Sequence, residues 1–161
     1  MVKALKPLTE PVARQLEQGI SPEKLAVSVA LGVAFGLFPI VGVTTALCVL
    51  AGVAFRLNHP ALQLVNYAVY PLQVPLILAF VRLGERLLGA PPVSLSPLTL
   101  AARFQQDPMR FLAEFGATGL RGILGWSVVA PVLAAAVYLL LLPALRRLAA
   151  AFTRRPASAL P

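Results

Sequence analysis

Residues 25–55 read LAVSVALGVAFGLFPIVGVTTALCVLAGVAF, and this stretch of 31 residues contains no charged side chain. A membrane-spanning helix requires about 20 consecutive apolar residues, so the stretch is long enough to enter a bilayer. The sequence Phe38-Pro39-Ile40-Val41-Gly42 stands at its middle, however, and divides it into two halves that are each short for a full crossing. Interrupted apolar segments are typical of re-entrant or broken helices, which transporters use to build sites near the membrane midplane. The stretch therefore predicts an integral membrane protein.

The composition of the whole chain supports the same assignment. Of its 161 residues, 58% are hydrophobic and only 12% are charged, whereas soluble domains carry about 25% charged residues. Two further uncharged blocks follow the first, at residues 57–81 and 122–145. This composition excludes a soluble globular protein. We predict an all-α fold, a small polytopic membrane helix bundle with broken or re-entrant helices.

The net charge of +8 is distributed in a way that favours a membrane over a nucleic acid. Basic residues flank the apolar blocks, at Lys3, Lys6, Arg14, Lys24, Arg146, Arg147, Arg154 and Arg155. Such flanks are typical of the cytoplasmic ends of membrane helices, and no polar fold with base-stacking aromatics is present. We expect a multi-pass protein of the bacterial inner membrane with both termini in the cytoplasm, the lipid bilayer around it and no nucleic acid partner. The number of crossings stays open, at two or four.

Proline, glycine and charge divide the chain into five predicted segments. They are an amphipathic interfacial segment (1–20), a membrane core with two Gly/Pro-interrupted apolar segments (21–89), a linker and amphipathic helix (90–121), a transmembrane helix (122–148) and a basic, disordered tail (149–161). Trp126 lies near one end of the transmembrane segment, where an indole is expected to anchor the helix at the membrane interface.

Small residues recur in the first half of the long apolar stretch. Ser28, Gly32 and Gly36 are spaced by four, which places them on one face of a helix and lets another backbone approach closely. The ladder serves either packing within the chain or dimerisation.

The break at the middle of the stretch contains the first candidate site residues, Pro39 and Gly42. Thr44 and Thr45 follow and are expected to cap a second half-helix. Its free N–H groups would then attract an anion, such as a small solute or a lipid headgroup. The alternative is a tight turn that binds nothing.

Polar side chains recur at steps of three and four in the second apolar block. They are His59, Gln63, Asn66, Tyr67, Tyr70 and Gln73, of which Gln63, Asn66, Tyr70 and Gln73 are candidate binding residues. On a helix they form one polar stripe, which at membrane depth faces the bundle interior or a wet cavity. Pro71 and Pro75 are expected to interrupt this helix. Hydrogen bonding between helices explains the stripe as well as a binding site does.

Ionisable residues offer little for catalysis or metal binding. All six carboxylates lie outside the apolar blocks, and Glu85 beside Arg82 is expected to form a solvated ion pair. His59 has no second ligand nearby, so we predict no metal site and no cofactor. No nucleophile, base or phosphate-loop motif occurs, and the chain is not expected to be an enzyme.

Several spaced motifs resemble the DUF2062 family of bacterial membrane proteins. They are Ser21-Pro22-Glu23-Lys24-Leu25-Ala26, Gly32-xxx-Gly36-xx-Pro39-xx-Gly42, Arg56-Leu57-Asn58-His59-Pro60, and Pro71-xxx-Pro75 followed by Gly84 and Gly89. The family often has Asn-Pro where Tyr70-Pro71 stands here, and a small hydroxyl residue where Gln73 stands, although Asn66 lies one turn earlier on the same face. The resemblance implies an integral membrane protein of uncharacterised activity and no catalytic residue.

Two functions remain open at this point. The first is transport or handling of a small anionic solute or lipid headgroup at the broken helices. The second is a non-catalytic scaffold or accessory subunit that packs against a second copy or another membrane protein through its glycine ladder.

Overall fold

The computed structural model describes residues 20–93 and 105–153, and these residues form four helices and no strand. The helices are α1 (Pro22–Gly36), α2 (Thr44–Ala54), α3 (His59–Leu87) and α4 (Pro108–Thr153). The predicted all-α fold is confirmed for this part of the chain. The predicted interfacial segment at 1–20, apart from Ile20, and the end of the basic tail lie outside the described residues.

Capping side chains and proline geometry set the two ends of helix α1. The Ser21 hydroxyl accepts a hydrogen bond from the backbone N–H of Lys24, Pro22 takes the first turn, and Glu23 is the acidic residue favoured there. The helix ends at Gly36, because the proline at 39 disfavours helical geometry in the residue before it. Gly42 then adopts a φ of +88°, which other residues rarely take, before α2 starts.

Helix α3 does not break at its prolines, so the predicted interruption is wrong. The helix continues for 29 residues with Pro71 and Pro75 inside it. Each proline removes one N–H donor and one intrahelical hydrogen bond. Apolar helices tolerate this loss when neighbouring groups satisfy the freed carbonyls, so a single continuous helix replaces two halves.

Helix α4 is longer than its sequence predicts. It runs for 46 residues without a boundary between residues 121 and 122, so the expected amphipathic helix and transmembrane helix are one element. It also continues to Thr153, and residues 149–153 are therefore helical instead of disordered. Packing against the rest of the bundle outweighs the low helix propensity of its glycines.

The bundle is built around α4, which packs against α1 and α3, while α2 packs against the same two helices. Leu25 and Ala26 of α1 meet Leu145 of α4 in a buried cluster that Tyr138 also contacts. Trp126, which is predicted to lie at the membrane interface, packs against the end of α1. It is half-buried against α1, because its ring contacts Phe38 edge-on, with ring centroids 5.0 Å apart.

Within the described residues, two segments are long and apolar enough to cross a membrane, His59–Leu87 and Ala113–Ala151. Only 22% and 11% of the residues in their most apolar windows are buried within the protein. The core helix of a soluble protein would be mostly buried. These helices instead present large apolar side chains outward, among them Leu72, Leu78, Val132, Leu139 and Leu140.

Candidate functional site

The break between α1 and α2 is held by a side chain of α3. The amide nitrogen Nε2 of Gln73 donates a 2.7 Å hydrogen bond to the carbonyl oxygen of Phe38. Gln73 is fully buried, yet its Oε1 has no hydrogen-bond partner among the described residues. A buried polar atom left unsatisfied costs about 1–3 kcal/mol, so this oxygen marks a place where a donor is missing.

A second polar cluster lies at the start of α2, one helical turn or more from Gln73. Asn66 is buried, and its Nδ2 donates to the Thr45 hydroxyl (3.4 Å) and to Oε1 of Gln63 (3.2 Å). The Nε2 of Gln63 in turn donates to the backbone carbonyl of Thr45 (3.3 Å). These three side chains therefore satisfy one another and join α2 to α3.

The predicted capping of α2 by Thr44 and Thr45 is wrong. The helix begins one residue earlier than that role requires, with Val43 at the cap position and no side-chain cap hydrogen bond. Thr44 is buried and Thr45 accepts from Asn66 instead. The first N–H groups of α2 consequently receive no side-chain acceptor from the cap residue, and they remain available for a ligand or water.

The remaining predicted site residues separate into inward and outward positions. Pro39 is buried, and it lies 3.4 Å from the position that a Cβ on Gly122 would take. Gly42 lies at the surface with open space around it. Tyr70 and its neighbour Tyr67 are 46% and 61% exposed, whereas Gln73 and Asn66 are buried. The structure thus brings Thr45, Gln63 and Asn66 together and leaves Tyr70 outside.

The small-residue ladder of α1 faces α3. A Cβ on Gly32 would lie 2.8 Å from the Leu62 carbonyl, and one on Gly36 would lie 2.5 Å from a methyl group of Val69. The Ser28 hydroxyl accepts from the backbone N–H of Asn58 (2.9 Å) at the start of α3. This face of α1 is therefore occupied by the same chain.

Sequence reasoning missed a tighter helix contact at the other end of α3. A Cβ on Gly84 would collide with the backbone of Arg121, and one on Gly125 with the carbonyl of Phe80. The signal for it is the recurrence of glycine every third residue from 116 to 125. These positions let α3 and α4 approach backbone to backbone.

Glu85 lies close to this contact, and its predicted solvation is wrong. The carboxylate is only 3% exposed. It accepts hydrogen bonds from Arg82 (2.7 Å) and from the backbone N–H of Val93 (2.8 Å), and Arg121 of α4 lies 4.0 Å away. A buried carboxylate needs such partners. They link α3, the segment after it and α4.

Sequence reasoning also missed a pocket between the start of α1 and the end of α2. Its volume is about 300 Å³ and its lining includes Lys24 and Arg56. These are the two charged residues that bound the uncharged stretch 25–55. Because α1 and α2 form a hairpin, the two ends of that stretch lie close together. A charged residue at each end of the stretch is the sequence signal that could have predicted the pocket.

No group of three or more His, Cys, Asp or Glu side chains that could hold a metal ion occurs within residues 20–93 and 105–153. A family model described as "Uncharacterized protein conserved in bacteria (DUF2062)" matches residues 5–153. No curated protein and no solved structure matches the chain.

Proposed function

Since the chain belongs to the bacterial family DUF2062, whose activity is uncharacterised, we propose a function from the geometry of its own residues. It is an integral protein of the bacterial inner membrane that binds a small anionic solute or lipid headgroup at the break between α1 and α2. Transport or handling of that ligand is the activity that such a site serves.

Outward-facing apolar side chains support the membrane location. Helices α3 and α4 are long enough to cross, and most residues in their most apolar windows are not buried within the protein. Soluble monomers rarely expose apolar patches larger than a few hundred Å². Hydrocarbon is the surrounding that satisfies such surfaces on two neighbouring helices.

The α1–α2 hairpin fits a re-entrant arrangement. Helix α1 has 15 residues and α2 has 11, which at 1.5 Å per residue gives about 22 and 16 Å. Both are shorter than the roughly 30 Å hydrocarbon core. Lys24 in the first turn of α1 and Arg56 just after α2 line one pocket, so the two open ends of the hairpin lie at the same end of the bundle.

Charge at that end supports a cytoplasmic location for both termini. Glu23 at the start of α1 pairs with Arg146 near the end of α4 at 2.9 Å, which brings Lys24, Arg56 and Arg146 to one end of the bundle. A concentration of Lys and Arg is typical of the cytoplasmic side. With α3 and α4 as the two crossings, the segment between them lies on the periplasmic side.

The observation that carries the binding proposal is Oε1 of Gln73 beside the break, which has no hydrogen-bond partner within residues 20–93 and 105–153. It requires a hydrogen-bond donor, whereas the start of α2 supplies N–H donors and the positive end of a helix dipole. A ligand that donates to Oε1 of Gln73 and accepts from the first N–H groups of α2 must be an anion that also carries a hydroxyl or amine donor. Small phosphate esters and lipid headgroups have this combination.

Binding of glycerol 3-phosphate to the full-length protein in lipid nanodiscs tests the site. Gln73→Met keeps the length of the side chain and removes both amide groups, and it should weaken binding about tenfold or more. Tyr67→Phe changes an outward residue of the same helix and should leave binding unchanged. The proposal is wrong if the native chain binds no glycerol 3-phosphate at millimolar concentration, or if Gln73→Met binds it equally well.

A scaffold function has its own support, because Thr45, Gln63 and Asn66 satisfy one another without a ligand. The glycine ladder is covered by α3, so a partner protein would contact another exposed apolar face, such as that of α2 at Leu50 and Val53. A photo-crosslinker at Leu50 would then give one discrete product in native membranes. Lipid adducts alone would count against a scaffold.

A further inference from the structure

The pocket at the open end of the α1–α2 hairpin has the composition of a headgroup site. It is lined by Ile20, Ser21, Lys24, Arg56, Leu57 and Asn58 and holds about 300 Å³. Its lining therefore combines two cationic, two polar and two apolar side chains. It is distinct from the break, which lies at the far end of α1, next to Gln73.

The two cations have no counter-charge in the described part of the chain. No carboxylate of residues 20–93 or 105–153 pairs with Lys24 or Arg56. The adjacent Glu23 is engaged elsewhere: its own backbone N–H and Arg146 hold its pKa below the usual value. Two like charges that face one pocket repel each other, and an anion between them would turn repulsion into attraction.

The backbone of Arg56 adds a second observation. Its φ is +50°, and no other non-glycine residue in the described segments has a positive φ. The position is the left-handed residue of a Schellman cap on α2, because Arg56 N–H bonds to Val53 and Leu57 N–H to Gly52. Glycine fits this position without strain, whereas arginine costs about 1 kcal/mol or more. The strained residue is thus one of the two that give the pocket its positive charge.

An apolar surface leads away from the pocket. Leu50 and Val53 on α2 and Phe55 just after it are 66%, 67% and 64% exposed, and all three lie within the six residues before Arg56. In a re-entrant hairpin this face borders hydrocarbon while the pocket lies at headgroup level. Acyl chains on α2 and a phosphate beside Lys24 and Arg56 would satisfy both surfaces at once.

We propose that this pocket binds a phosphate group through Lys24 and Arg56, supplied by the headgroup of an anionic phospholipid or by a free phosphate compound. The proposal rests on the membrane location proposed above, but not on ligand binding at the break. Lysine and arginine are the usual protein ligands of phosphate, and arginine can hold two of its oxygens at once.

Native mass spectrometry of the full-length protein with phosphatidylglycerol, phosphatidylcholine or orthophosphate distinguishes the sources. Retention of phosphatidylglycerol over phosphatidylcholine indicates a lipid headgroup, and binding of orthophosphate alone indicates a free phosphate compound. In either case Lys24→Gln/Arg56→Gln should weaken binding at least tenfold. Arg86→Gln/Arg147→Gln removes the same net charge elsewhere and should bind normally.

Arg56→Gly separates loss of binding from loss of folding. Glycine relieves the positive-φ strain, so this variant should be at least as stable as the native chain while its binding falls. Glu10→Gln/Glu17→Gln tests whether a carboxylate of the preceding segment fills the pocket instead. Phosphate binding that appears only in that variant overturns the proposal, as does binding that is unchanged in Lys24→Gln/Arg56→Gln. Gln73→Met should retain binding here, so failure of the break site and failure of this pocket are distinguishable.

Discussion

Trp126 of α4 donates its indole N–H to the backbone carbonyl of Ala34 in α1, over 2.9 Å. Ala34 belongs to the last turn of α1, where helix carbonyls lack an intrahelical partner. Gln73 of α3 satisfies the carbonyl of Phe38, just past the end of the same helix. Side chains from both long helices thus end α1 and hold the break in place.

Loss of the indole hydrogen bond should loosen the break. Trp126→Phe keeps an aromatic ring beside Phe35 and Phe38 but leaves the Ala34 carbonyl without its donor. We expect the free energy of unfolding to fall by about 1–3 kcal/mol, as measured by denaturant titration in detergent. Tyr138→Phe, a polar-to-apolar change elsewhere in the bundle, serves as the control. Equal stability of Trp126→Phe and the native chain would contradict this role of Trp126.

Because α3 and α4 contact each other backbone to backbone, alanine should destabilise the protein at one glycine of α4 and stabilise it at another. A Cβ on Gly125 would collide with the Phe80 carbonyl, whereas Gly116 and Gly119 have nothing within 4 Å. Gly125→Ala should therefore lower the melting temperature, by a loss of about 1–3 kcal/mol from forced separation of the helices. Gly119→Ala should raise it, because alanine is favoured in a helix by about 0.5–1 kcal/mol. Stabilisation of equal size at both positions would show that helix propensity, and not packing, decides.

The buried carboxylate of Glu85 should contribute more to stability than the exposed carboxylate of Glu114 on α4. Glu85→Gln keeps the shape but weakens the hydrogen bonds to Arg82 and Val93 and removes the charge that faces Arg121. We expect a loss of about 1–3 kcal/mol. Glu114→Gln alters an exposed pair with Arg110 and should change stability by less than about 1 kcal/mol. Thermal unfolding of both variants at several salt concentrations checks the order, since salt screens only the exposed pair strongly.

Local sequence signals predicted the parts of this fold that depend on neighbouring residues. Pro39 and Gly42 placed the break, and Ser21-Pro22-Glu23 placed the start of α1, because steric limits and capping act over a few residues. Pro71 and Pro75 misled, since whether a proline breaks a helix depends on the groups around it. The environments of Glu85 and Trp126, and the pocket between Lys24 and Arg56, arise from residues far apart in the chain. They become predictable only once the hairpin and the packing of α4 are known.

The depth of the break in the membrane follows from this packing. Its measurement is the most direct test of the proposed topology. Gln73 bonds to Phe38 and lies nine residues before Arg82 on α3, which is about 14 Å along the helix. Pro39 in the break nevertheless packs beside Gly122, the neighbour of Arg121, so the tip of the hairpin should reach the level of the charged end that contains Arg82 and Arg121. Single cysteines placed from residue 38 to 46, in a Cys48→Ala background, report this depth through labelling by a membrane-impermeant maleimide.

In a re-entrant hairpin, water reaches these cysteines from one side of the membrane only. Cysteines at Lys24 and Arg56, which line one pocket, should label from the cytoplasmic side in the same cells. Labelling of positions 40–42 from the periplasm would instead indicate two full spans and four crossings. A complete lack of labelling at 38–46 would mean that the break is buried in lipid or protein, and it would remove the case for an aqueous ligand site beside Gln73. Restored labelling in a Gln73→Ala background would then show that this side chain seals the break.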